Sequence, residues 1–90
     1  MDSTHMGLVR CETSDGMFSN EVAVSLNSND GPVSFFADRG LIQEKNGATY
    51  LVVSLVQLNQ AGRISVLLPS ETFEKGTRWV EVSPSMMAAI

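Results

Sequence analysis

From Thr49 to Pro69 the chain reads T-Y-L-V-V-S-L-V-Q-L-N-Q-A-G-R-I-S-V-L-L-P, two apolar runs separated by Asn59-Gln60-Ala61-Gly62. Tyr50–Leu58 is apolar on both faces, with Tyr50, Val52, Val56 and Leu58 opposite Leu51, Val53 and Leu55. A strand of that kind is central in a sheet or covered on both sides. Its β-branched and aromatic residues and the bounding glycines favour strand over helix. Arg63–Leu68 returns with Ile64, Val66 and Leu68 on one side. This hairpin therefore sets the fold class, and the other segments pair with it or cover it.

Four further runs carry strand patterns. Gly7–Thr13 is read as one short strand, with Leu8, Arg10 and Glu12 opposite Val9 and Cys11. Glu21–Asn27 alternates, Val22, Val24 and Leu26 facing a core. Ser28-Asn29-Asp30-Gly31 is a strong turn signal, so Val33–Asp38 returns as the second arm of a hairpin that Pro32 opens. Phe36 is anomalous there, since it shares a face with Ser34 and Asp38. Thr77–Ser83 is the last strand, with Val80 and Val82 on one face and Trp79 and Glu81 on the other. Between these runs, Arg39–Gln43 is expected to form a tight or 3₁₀ turn and a short strand, which Lys45-Asn46-Gly47 folds back onto the next. Ser70 is expected to cap a single helical turn with Phe73 pointing inward. Ser85–Ile90 has the composition of a helix start but is too short to hold one alone.

The sum is all-β: a small barrel-like or strongly curved antiparallel sheet of about five to seven short strands with at most one helical turn. Ninety residues suit a single domain. Met1–His5 reads as a cloning remnant, which leaves 6–90 as that domain. The sequence Leu68-Pro69-Ser70, then Phe73, then a strand, resembles the corner of SH3-like barrels, which implies the same small-barrel architecture.

Composition narrows the function classes. The net charge is −4 with a pI of about 4.7, and the six basic residues are scattered. Nucleic-acid modules draw most of their affinity from clustered Lys and Arg, so the acidic balance weighs against that partner. It also disfavours anionic membranes, and no apolar run is long enough to span one. A single cysteine, Cys11, forms no intramolecular disulfide and suits a reducing, cytoplasmic setting. It reads as a small core hydrophobe, because the one histidine, His5, lies in the tail and offers no base. Zinc, calcium, phosphate-loop and nucleophile-elbow patterns are missing from the sequence. Glu71 and Glu74 flank Phe73 as solvated charges. No cofactor and no enzyme activity are expected.

What the sequence offers instead is surface. Trp79 lies among polar neighbours, and exposed tryptophans concentrate at interfaces. With Phe36, Arg39 and Arg78 it forms a candidate binding set. Met17-Phe18 is expected to plug one end of the fold, its alternative being an exposed recognition tip. Met86, Met87 and Ile90 either pack back on the core or contact another chain. These features suggest a non-enzymatic protein-interaction or self-associating module. The alternative is a single-stranded nucleic-acid binder using the same aromatics with Arg63.

Overall fold

The computed structural model describes residues 6–58 and 63–88. Among these residues ten strands run in chain order: β1 (Gly7–Arg10), β2 (Glu12–Asp15), β3 (Glu21–Ser28), β4 (Gly31–Asp38), β5 (Ile42–Lys45), β6 (Ala48–Val53), β7 (Leu55–Leu58), β8 (Ile64–Leu67), β9 (Trp79–Val82) and β10 (Met87–Ala88). They form three antiparallel sheets, ordered β10-β1-β6-β5, β2-β3-β4 and β7-β8-β9. Among the described residues there is no α-helix, only 3₁₀ turns at Arg39–Leu41 and Pro84–Met86. No helix among these residues is long and apolar enough to cross a membrane.

Two expected strands break and change sheet. Gly7–Thr13 divides at Cys11 into β1, which pairs with β6, and β2, which pairs with β3. Leu8, Val9 and Cys11 are all buried, so the expected alternation fails where the chain bends over the core. Tyr50–Leu58 divides at Ser54 into β6 and β7. This is how a run apolar on both faces is used: it serves two sheets in turn, rather than one sheet covered on both sides. The turn expected at 59–62 lies outside the described residues.

The sheets share one core of Val9, Cys11, Val22, Val24, Leu26, Val33, Phe35, Ala37, Leu51, Val53, Val66, Leu68, Val80 and Val82. Backbone hydrogen bonds tie sheet to sheet: Cys11 N–H donates to Thr49 O at 3.0 Å, and Asn29 N–H to Glu81 O at 2.8 Å. The three ladders remain separate, and no closed barrel of hydrogen bonds is found among the described residues.

Local expectations fare unevenly. The expected β3–β4 hairpin forms, with Val24 opposite Phe35 and Ser28 opposite Gly31. Asn46 (φ 54°) and Gly47 (φ 81°) form the β5–β6 turn, both residues left-handed as a type I′ turn requires. Around residue 72 the expected orientation is reversed. Thr72 is buried and Phe73 is 64% exposed. The single turn itself does form, closed by Gly76 N–H to Thr72 O and ended by left-handed Gly76 (φ 67°), with Thr72 rather than Ser70 as its cap. Thr72 explains the inversion: its N–H donates to Thr77 O, while its carbonyl and hydroxyl accept from Gly76 and Lys75 N–H. A fully paired threonine is inexpensive to bury. Of Ser85–Ile90, the described residues start no α-helix; Pro84–Met86 is a 3₁₀ turn and Met87–Ala88 pairs with β1.

Candidate functional site

The β2–β3 connection is braced by hydrogen bonds from its own backbone, from Glu21 and from Arg39. Gly16 N–H donates to Glu21 O (3.2 Å) and Glu21 N–H to Phe18 O (3.0 Å). Met17 N–H donates to the Glu21 carboxylate at 3.0 Å. A Cβ on Gly16 would lie 2.8 Å from Glu21 O, so only glycine fits there. The register places Glu21 opposite Asp38. Arg39, the next residue, therefore overhangs the turn, where the Asp38 carboxylate accepts from Gly40 N–H and fixes the 3₁₀ bend. From that position Arg39 N–H donates to Asn20 O (2.8 Å), Nε to Ser19 O (3.1 Å) and Nη2 to Glu21 O (3.3 Å).

The braced backbone carries Met17 and Phe18 outward, 76% and 66% exposed. The expected plug is thus absent, and the exposed tip is what the turn builds. Two large apolar side chains in water on a backbone with so many partners is a costly arrangement to maintain for packing alone. Exposed Asp15, the last residue of β2, adjoins the tip, whereas Glu12 stands at the other end of that strand opposite Ser25.

The residues singled out from sequence are distributed among separate surroundings. Arg39 belongs to the tip. Phe36 is half-buried and packs edge-to-face on Phe73, ring centroids 5.3 Å apart, which accounts for an aromatic on the polar-patterned face of β4. Arg78 Nε donates to Leu68 O at 2.9 Å. Trp79 is 40% exposed and lines a shallow hollow of about 240 Å³ with Ser28, Asp30, Ser65, Lys75 and Glu81. Asp30 and Arg39 flank opposite ends of the eight-residue β4, itself roughly 25 Å long at ~3.3 Å per residue. Met86 and Met87 are half-buried against the core. Ile90 lies outside the described residues.

A larger hollow of about 490 Å³ is lined by Arg10, Cys11, Glu12, Asn27, Thr49 and Met86, among others. Its thiol is not activated. Burial, and secondarily the charge of Glu12, push the Cys11 pKa up to about 11, so the thiol stays protonated at neutral pH. Among the described residues no group of three His, Cys, Asp or Glu side chains is placed to hold a metal. Nor does any buried side-chain polar atom lack a hydrogen-bond partner of the kind a ligand would satisfy.

Sequence reasoning identified Met17-Phe18 but assigned it inward, because large apolar residues in a short loop usually are. The readable signal was Gly16 with Glu21, a tight turn and a carboxylate able to satisfy it. The Arg39 brace spans about twenty residues and has no local signature. Comparison with protein-family models, with curated proteins and with solved structures found no match.

Proposed function

We propose that this chain is a non-enzymatic protein-interaction module, its three sheets curled barrel-like around one core, that docks through the Met17-Phe18 tip. The observation that carries the reading is the exposure of both side chains on a turn whose backbone is held by Glu21 and Arg39. A pre-organised apolar anchor loses little entropy on binding, and a few such side chains dominate protein interfaces. Asp15 beside the tip favours a partner with an apolar pocket that carries a basic group on its rim. The single buried thiol of Cys11 suits a reducing, cytoplasmic setting. Trp79 and the Phe36–Phe73 pair are secondary contacts in this reading.

The nucleic-acid alternative has less support. It calls on Arg39 and Arg78, whose guanidinium groups already donate to backbone carbonyls, in a chain of net charge −4.

The test is a photo-crosslinking phenylalanine analogue at position 18, with one at exposed position 44 as control, in an extract of the source cells. The proposal expects a discrete protein adduct from position 18 alone. Excess unlabelled chain competes it away, and a chain carrying Met17→Ser and Phe18→Ser does not. An adduct of the chain with itself assigns the tip to self-association. No competed adduct, with oligonucleotide binding that weakens steeply as salt is raised, overturns the proposal.

A further inference from the structure

The outer edge of β4 is unusual in how it is covered. β4 carries no charged residue between Gly31 and Ala37, so it lacks the charges that edge strands commonly use against unwanted pairing. Protection comes instead from Ser70–Lys75, a segment that is not itself a strand. Ser34 N–H donates to Glu74 Oε1 at 2.7 Å and Ser34 Oγ to Glu74 Oε2 at 2.5 Å. Phe73 N–H donates to Ser34 O at 2.9 Å, and Ser70 Oγ to Phe36 O at 2.7 Å. A carboxylate thus takes the place of a neighbouring strand's carbonyl, and a hydroxyl the place of its N–H. The hydrogen bonds from Ser34 hold the Glu74 carboxyl below its ordinary pKa.

The cover is thin. Phe73 remains 64% exposed, and the Lys75–Asp30 ion pair (3.2 Å) closing its far end is solvated, with the Asp30 side chain 76% exposed. The contacts that cover the edge lie on both sides of the buried Thr72, from Ser70 before it and from residues 73–75 after it.

We propose that the β4 edge is a pairing surface for β4 of a second copy of this chain, held shut by Glu74. The strand is complementary to itself. With Phe35 opposite Phe35 of the copy, Ser34 N–H meets the copy's Phe36 carbonyl and Phe36 N–H meets the copy's Ser34 carbonyl. Two-fold symmetry repeats both bonds. Of these groups Ser34 N–H, Ser34 O and Phe36 O are now taken by Glu74, Phe73 and Ser70. Val33, Phe35 and Ala37 are buried in the core, so β4 offers its edge without unfolding its inner face. Pro32 lacks an N–H and, standing opposite Asp38 of the copy in this register, limits the doubly bonded ladder to Ser34–Phe36. This inference rests on the β4 edge and is independent of the Met17-Phe18 tip.

The test compares the wild-type chain with Glu74→Ala by light scattering across a concentration series, and by amide hydrogen exchange. The expected result is dimerisation at least tenfold tighter in Glu74→Ala, with the Ser34 and Phe36 amides protected in the dimer. Glu74→Gln keeps the shape without the charge and is expected to fall between the two, which keeps the test decisive if the alanine variant folds poorly. Variants no more prone to dimerise than wild type overturn the proposal. So does a dimer in which the Ser34 and Phe36 amides exchange freely, because its interface then lies elsewhere. An opened edge that takes up an added extended peptide but never a second copy also overturns it.

Discussion

Replacing Arg39 by alanine should loosen the tip without unfolding the protein. The side chain supplies two hydrogen bonds, Nε to Ser19 O and Nη2 to Glu21 O, while the bond from its backbone N–H to Asn20 O survives. Both carbonyls are near solvent, so water replaces much of what is lost, and the net effect should be about 1 kcal/mol. That corresponds to roughly fivefold faster exchange through local opening. It should be confined to the amides of Gly16, Met17 and Glu21, whose bonds define the turn. Core amides such as Val24 and Phe35 should slow or quicken by no more than the small change in global stability. Arg39→Lys should restore little, because one ammonium cannot reproduce a fork reaching two carbonyls. Native-state hydrogen exchange followed by NMR reads all of this residue by residue. Unchanged exchange at the three tip amides, with a uniform loss across the core, would refute the bracing argument and make Arg39 an ordinary contributor to global stability.

Gly16→Ala should disturb the same turn more severely, since its Cβ would lie 2.8 Å from the Glu21 carbonyl oxygen. A loss of about 1–3 kcal/mol is expected in urea unfolding, and a loss below about 0.5 kcal/mol would argue that the turn is not tight. Cys11 should resist thiol reagents at pH 8 in the native protein and react only on unfolding, a contrast that a timed labelling experiment with and without denaturant measures. Its thiol pKa is raised on folding, so the native state holds the proton longer than the unfolded chain. Stability should therefore decline as pH climbs from about 9 through about 11. A Cys11→Ala variant should lack that component of the decline, which pH-dependent urea melts would detect.

How much could be read in advance follows from how local each determinant is. The β3–β4 hairpin was legible because Val22, Val24 and Leu26 alternate and Asp30-Gly31 turns the chain. The β5–β6 hairpin was legible from Asn46-Gly47. The breaks at Cys11 and Ser54 were not, because a strand that bends from one sheet into the next keeps the composition of a single strand. The inversion at Thr72 and Phe73 came from a network of backbone partners spread over residues 72–77, against a hydropathy rule that favours burying the phenylalanine. The candidate site was legible in its parts and not in its grouping. Arg39, Phe36, Arg78 and Trp79 were each singled out by type, yet long-range register sends Arg39 to the tip, Phe36 to Phe73 and Trp79 to the Asp30 end of β4.

Thermal unfolding of the Met17→Ser, Phe18→Ser double variant tests most directly whether the tip is a docking element rather than a structural plug. Exposed positions tolerate substitution within about 0.5 kcal/mol each, and a domain of this size shifts by ~4–8 °C per kcal/mol. The tip reading therefore predicts a Tm within several degrees of wild type, together with loss of the crosslink formed from the wild-type tip. Two side chains buried as a plug would each contribute about 1.5–3 kcal/mol, and a fall in Tm of more than about 12 °C would contradict the account.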